Sequence, residues 1–341
     1  VQTTGSQTYA DPVSLNGVYA VGSSSKGGAA FTAEGPTTLT GPVSVSGGDI
    51  SFEGSIDSTP NRGFTLSLNP GDGGTALLNG DIGLTNPLGG LAVTANKNNT
   101  ASIVAHHWVA LSGDLANSST DGLSIGPDVT ATFDGGGLIR NFAGDGVSIG
   151  VTPAVVLPQP TVVDPVIANF AISGNHNYGI NAMGTYGARF ISNAILNNGA
   201  ITGDAGVLIN NGVHNTLDSN SIWSNGGQDG LGISLINGGN NSQAAPVVNS
   251  AVLDPTKTEL TVEFSLSPLP DAPYTAQIFY TPAAPAQGQQ LLLTLKDQVQ
   301  GTVVQTIPVS SGIAAGGYIT VTATTAAGDT SQFSAGAQIP T

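Results

Sequence analysis

The chain is written almost throughout in short apolar–polar alternations that stop at Gly, Asn, Asp or Pro and then begin again. Examples are Phe64-Thr65-Leu66-Ser67-Leu68, Val129-Thr130-Ala131-Thr132-Phe133 and Tyr318-Ile319-Thr320-Val321. A period of two puts successive side chains on opposite faces of an extended strand. No capped apolar stripe at i, i+3, i+4 and i+7 competes with it, so long helices are not expected. The 48 glycines and 20 prolines cut the strands short. The reading is an all-β chain of many brief strands that need neighbours to pair with.

The strands repeat, in two styles. In the first third, Gly63-Phe64-Thr65-Leu66-Ser67-Leu68-Asn69 matches Gly90-Leu91-Ala92-Val93-Thr94-Ala95-Asn96 at a spacing of 27, and Phe52-Glu53-Gly54-Ser55-Ile56 matches Leu78-Asn79-Gly80-Asp81-Ile82 at 26. In the middle third an Asn recurs just before an apolar pair, at Asn141, Asn169, Asn193 and Asn220, with spacings of 28, 24 and 27. A second register runs through Gly122-Leu123, Gly146-Val147, Gly179-Ile180, Gly206-Val207 and Gly230-Leu231. Periods in the twenties fit the coils of a right-handed parallel β-helix, two or three strands per coil, stacked about 4.8 Å apart. The four Asn residues then form an inward amide ladder, each side chain bonding the next. The plainer alternative makes them turn formers that tolerate a left-handed backbone.

Residues 151–166 carry four prolines (Pro153, Pro158, Pro160, Pro165) and are expected to leave the barrel as a loop. The coil rhythm ends at Asn237-Gly238-Gly239-Asn240-Asn241, before Pro246. Beyond it the strands lengthen, with candidates at 260–266, 274–280, 289–295, 303–309, 318–324 and 332–334. That spacing suits a small immunoglobulin-like β-sandwich, although the Cys–Trp–Cys hallmark is absent. The expected domains are a β-helix over 1–245, with one repeat style over 1–100 and Asn-ladder coils over 101–245, and a sandwich over 246–341.

Two stretches resemble known families. Gly5-Ser6-Gln7-Thr8-Tyr9 and Gly48-Asp49-Ile50-Ser51-Phe52-Glu53-Gly54 resemble repeats of filamentous-haemagglutinin-like adhesins. Asn220-Ser221-Ile222, Gly230-Leu231-Gly232-Ile233-Ser234-Leu235 and Ala244-Ala245-Pro246-Val247 resemble the last coil of right-handed β-helix repeat surface proteins. The end of the chain, Ile319 to Thr324 with Gly328-Asp329-Thr330-Ser331-Gln332-Phe333-Ser334, is similar to the sandwich module that follows such a coil. The resemblance implies secretion and an extracellular or bacterial cell-surface life. It says little about activity.

Composition excludes several functions. Cys is absent, so disulfides, Cys-ligated zinc and thiol catalysis are impossible. Seven Lys and Arg against 22 Asp and Glu give a charge of −15 and no basic patch for nucleic acid. No apolar run approaches the length of a membrane span. The first basic residue is Lys26, so the N-terminus lacks the charged region of a signal peptide, and a mature or excised piece is expected. No Gly-x-Gly-x-x-Gly opens a helix, and no Gly-x-Ser-x-Gly elbow occurs.

The candidate sites are few. Asp121, Asp145, Asp204 and Asp229 stand near the Gly-apolar strand starts. Stacked on adjacent coils, they could hold Ca²⁺ through oxygen ligands or act as an acid–base pair on a glycan. Read plainly, they are solvated Asp-Gly turns. The partner signatures of β-helical pectin hydrolases are missing, and Arg140 and Arg189 sit beside no acidic cluster in sequence. His106 and His107 are adjacent, and neighbours on a strand face opposite ways, so the pair is not expected to chelate one metal; with His176 and His214, in turn-like contexts, they read as surface or turn histidines. Trp108, Tyr178, Tyr186 and Trp223 lie in the solenoid. Trp223, Tyr178 and Tyr186 are candidates for stacking on sugar, with Trp223 expected to face outward.

The functional expectation is a non-enzymatic extracellular structural or adhesive protein, an adhesin stalk or surface-fibre subunit with no required cofactor. The sandwich is expected to cover the C-terminal coil. The N-terminal coil, without a capping helix, is expected to meet a continuing parent chain or another subunit. Glycans or a host surface are the other expected partners. The alternative is a polysaccharide-active enzyme or glycan-binding module that uses the solenoid groove.

Overall fold

The structure is a computed structural model. It describes residues 1–22, 28–96, 100–113, 120–150, 162–201, 203–227, 230–267, 272–299, 301–309 and 312–341, with only the backbone of Val162 and Val163. Most of the expected loop at 151–166 therefore lies outside the described residues.

The chain folds as expected in class: a parallel β-solenoid followed by small antiparallel sheets that form a β-sandwich. Three parallel sheets line the solenoid. The first has 11 strands and runs from Gln2–Thr3 to Leu231–Ile236. The second has 9, from Gln7–Tyr9 to Thr216–Asp218. The third has 5 and begins only at Val109–Ser112, ending at Ser221–Trp223. The change in repeat style along the sequence thus accompanies the appearance of a third sheet.

Period-two alternation sets the core. Leu66, Leu91, Leu123, Val147, Ile180, Val207 and Ile233 pair in one inward column of the first sheet. All are buried. Burying each contributes roughly 1.5–3 kcal/mol. The Phe52 to Leu78 register stands as read. The neighbouring match at 27 does not, because Leu66 pairs with Leu91, a spacing of 25. A slip of two residues keeps every side chain on its face, so alternation alone cannot choose between the two registers. Packing chooses: Gly89 sits so close over the backbone of Gly63 that a Cβ there would strike its carbonyl oxygen.

The amide ladder exists, with different members. Asn193 and Asn220 form one: Asn193 Nδ2 donates to Asn220 Oδ1 at 3.0 Å, and Asn193 Oδ1 accepts from Phe170 N–H. Asn175, Asn198 and Asn225 form a second, at 2.8 and 3.0 Å, which meets Phe142 N–H. Asn215 and Asn240 form a third at 3.1 Å, meeting Ala188 N–H. Asn141 and Asn169 are not rungs. Both are exposed turn residues with left-handed backbones, φ 60° and 67°. At the rung positions stand Phe142 and Phe170, both fully buried. The plain reading holds for these two and the ladder reading for the other two.

A glycine column explains why the second ladder is close-packed. A Cβ on Gly179 would lie 2.6 Å from Ile195 Cγ2 and 2.9 Å from Asn198 Nδ2. Gly122, Gly146 and Gly206 are hemmed in the same way by Ile139, Ile172 and Ile222.

The sandwich has its own core, centred on Leu260, Val262, Phe264, Ile278, Ile319 and Val321. Val247–Leu253, Glu259–Leu266 and Gly301–Pro308 form one antiparallel sheet. Gln290–Gln298, Tyr274–Thr281, Tyr318–Thr324 and Ala337–Gln338 form the other. Residues 332–334, expected as a strand, are irregular. They stay beside strand Tyr318–Thr324, with Ser331 N–H donating to Ala323 O and Ser334 N–H to Val321 O at 2.9 Å, while Phe333 between them packs on the solenoid core and on Phe279, ring centroids 5.3 Å apart.

The sandwich covers the last coil by extending its ladders. Gln287 Oε1 accepts from Asn225 N–H at 3.2 Å, and its Nε2 donates to Asn225 O at 3.0 Å. Asn240 Nδ2 donates to Thr330 O at 2.9 Å. Buried Asp329 accepts from His214 N–H at 2.6 Å, His214 Nδ1 at 3.1 Å and Asn241 Nδ2 at 2.9 Å.

Asn198 is 1% exposed and occupies the middle rung. Replacing it by Ala strands Asn175 N–H and Nδ2, which share Asn198 Oδ1, and takes the Nδ2 donor from Ile172 O, while Asn225 Oδ1 keeps only the residue-198 backbone N–H. Asn198→Ala is expected to lower unfolding free energy by about 3 kcal/mol. Asn197→Ala, at its exposed neighbour, should cost about 1 kcal/mol or less. Chemical denaturation of both variants checks the contrast.

Candidate functional site

Two surface regions gather chemistry-bearing side chains. The first is a corner of the first sheet. Asp121 and Asp145 stand on adjacent coils at the same position, two residues before the paired Leu123 and Val147. Tyr178 holds that position on the next coil, two before Ile180, and Ala205 on the one after. Asp204 is one residue out of the column. Asp229 lies outside the described residues, and Leu231 pairs with Ala205 at that position of its coil. Among the described residues the expected column is therefore two stacked carboxylates with a third nearby. The miss has the same cause as the register slip: Gly-apolar repeats two residues apart look alike in sequence.

The corner carboxylates act as rungs. Asp121 Oδ1 accepts from Asp145 N–H at 2.8 Å. Asp145 Oδ1 accepts from Tyr178 N–H at 3.1 Å, and its Oδ2 from Asn181 Nδ2 at 2.8 Å. Each carboxylate thus serves the next coil. Asp145 is 6% exposed, and burial above all lifts its carboxyl to about 6, with the Asp121 and Asp204 charges adding to the rise. The Tyr178 hydroxyl is raised too, by burial first and then by Asp204 and Asp145. Asp204 turns an oxygen to Ile201 N–H at 3.2 Å. Among the described residues no three His, Asp or Glu gather into a set that could hold a metal ion.

The second region is the corner between strands Ala101–Ala105 and Val109–Ser112. Here His106 and His107 are not on a strand, so the opposite-face rule does not apply to them. His106 Nδ1 meets Asp134 Oδ1 at 2.6 Å. His107 Nδ1 lies 4.0 Å from Asp81 Oδ1, which accepts Trp108 N–H at 3.2 Å. Asp81 and Asp134 come from the coils on either side, 26 residues before His107 and 28 after His106. Trp108 stands at this corner with 41% of its surface exposed. Gly135 permits the close stacking, since a Cβ there would lie 2.5 Å from the His106 carbonyl. Sequence reading placed Trp108 in the solenoid but did not join it to these partners. The one-coil spacing of the two Asp residues was the available signal.

The remaining candidates stay apart. Tyr186 is 39% exposed and meets the His214 ring edge-on, centroids 5.0 Å apart. Trp223 is half-buried rather than open, because it ends the edge strand Ser221–Trp223 that the sandwich covers at Gly288. His176 is exposed.

No family model matches the chain. No curated protein matches it either. Among solved structures it is similar to the crystal structure of the Dettilon tailspike protein, at 11% identity and a TM-score of 0.29, over 98% of this chain and 84% of that one.

The corner carboxyl makes stability depend on pH in a definite direction. Folding raises Asp145 from 3.8 to about 6, so the native state holds a proton that the unfolded chain has released. Stability from this group is full below about pH 4 and is lost as pH rises through about 6, by up to about 3 kcal/mol. Asp145→Asn should remove that fall. Denaturation midpoints of both proteins at pH 4, 5, 6 and 7 measure it.

Proposed function

We propose that this chain is a non-enzymatic, extracellular adhesive solenoid that binds neutral glycans on the platform at Trp108. One observation carries the reading: an exposed Trp is flanked by two His–Asp pairs drawn from three coils. An indole offers a flat apolar face to the C–H side of a sugar ring. Imidazoles and carboxylates around it offer donors and acceptors for hydroxyls. Asp134 holds the His106 ring by its Nδ1, so Nε2 is the ring nitrogen not used in that pair. The net charge of −15 disfavours acidic polysaccharides. A solenoid is suited to present such a corner, because the coils hold its parts at fixed spacing.

The raised carboxyl of Asp145 favours a second reading, glycan cleavage at the first corner with Asp145 as acid and Asp204 as the second carboxyl group. Its burial and its two occupied oxygens count against contact with substrate.

A panel of neutral and acidic oligosaccharides separates the two. Under the first reading a neutral glycan binds, Trp108→Ala weakens it tenfold or more, His106→Ala weakens it less, and no product forms. Product formation abolished by Asp145→Asn or Asp204→Asn, with Trp108→Ala still active, would establish the second.

A further inference from the structure

The last coil ends in three strand edges, and the sandwich treats them differently. At Ser221–Trp223 it supplies backbone: Ile222 N–H donates to Gly288 O and Gly288 N–H to Ile222 O, both at 2.8 Å. At Thr216–Asp218 it supplies Thr330, whose Oγ1 accepts from Leu217 N–H at 2.9 Å and whose N–H donates to Asn215 O at 3.3 Å. At Leu231–Ile236 the described residues of the sandwich supply side chains. Gln332 Nε2 donates to Ile233 O at 3.2 Å, and the Phe333 ring covers Gly232.

In earlier coils the residue in the Ile233 column donates its N–H onward. Leu91 donates to Gly122 O, Leu123 to Gly146 O and Val147 to Gly179 O, each at 2.9 Å. Ile233 and Leu235 stand at the end of this sheet, where no further strand follows among the described residues. Beside this edge, between solenoid and sandwich, runs a groove of about 930 Å³. Its floor includes Gly230 and Ile233, and its walls include Ala284, Ala286, Ala335 and Gly336. None of the described lining residues is ionisable. Leu231 and Ile236 flank the edge with side chains 46% and 40% exposed.

We infer that this groove takes an extended, uncharged polypeptide segment, which adds as a strand to the Leu231–Ile236 edge. An edge N–H and C=O series recruits backbone of matching spacing. Walls of Gly and Ala leave room for a main chain, and the described lining residues offer no charge to pair with Lys, Arg, Asp or Glu. The groove also continues an interface in which the sandwich already adds backbone to the neighbouring edge, through Gly288. This inference is independent of the Trp108 platform.

The probe is a capped synthetic peptide with the sequence of Ala205–Asn210, the strand that pairs with Leu231–Ile236 on its inner side. Amide hydrogen exchange of the intact chain is read with and without it. Saturating peptide is expected to slow exchange at Ile233 and Leu235 tenfold or more. Ala335→Trp, at an exposed wall position, is expected to abolish that protection, while Trp108→Ala leaves it intact. Unchanged exchange at Ile233 and Leu235 overturns the inference. So does protection in the free chain equal to that of Val207, equal binding by the Ala335→Trp variant, or protection of the same amides by a neutral oligosaccharide instead.

Discussion

The structure depends on finding an acceptor for each backbone N–H at the corner of a coil. Along a strand the next coil supplies a carbonyl automatically, because parallel strands repeat at fixed spacing. At a corner the chain turns, the carbonyls point elsewhere, and a buried N–H without a partner costs about 1–3 kcal/mol. Side chains of a neighbouring coil close this gap. Asn193, Asn198 and Asn215 do so from the following coil inside the barrel, and Asp121 and Asp145 do so from the preceding coil nearer the surface.

The same constraint explains how the solenoid ends. A terminal coil has no successor to supply the next acceptor. The sandwich takes over that role with Gln287 in the Asn175–Asn198–Asn225 series and with Thr330 and Asp329 near Asn215 and Asn240. The two parts are joined by hydrogen bonds of the kind that hold coil to coil, and Phe333 adds an apolar plug. The first sheet is the exception, since it receives side chains where the others receive backbone or a hydroxyl aimed at the N–H.

The polar residues fall into two roles by the same constraint. Asp145 draws notice for its raised carboxyl, yet both of its oxygens are engaged by the following coil. Trp108 has an ordinary sequence context but is open to solvent, with His106, His107, Asp81 and Asp134 around it. Burial and occupied oxygens describe a structural group, while exposure with unspent donors and acceptors describes a surface that can meet a ligand. The glycan reading therefore rests on the second corner.

The sequence by itself determined the class of fold. Period-two alternation, turn residues and recurrence in the twenties leave few options other than stacked parallel strands, and the longer strands after Pro246 mark the antiparallel part. Five of the six candidate strands there lie within or overlap observed ones, such as Tyr318–Thr324. The tertiary structure decided register and neighbourhood. Shifts of two residues leave alternation unchanged, so only close packing, as at Gly63 and Gly89 or along the Gly122–Gly206 column, could choose among them. That choice moved Asn141 and Asn169 off the ladder, brought Asn175, Asn198 and Asn225 onto it, and took Asp204 out of the Asp column. It also set Asp81 and Asp134 beside two histidines a coil away, a proximity that linear spacing hints at but only stacked coils create.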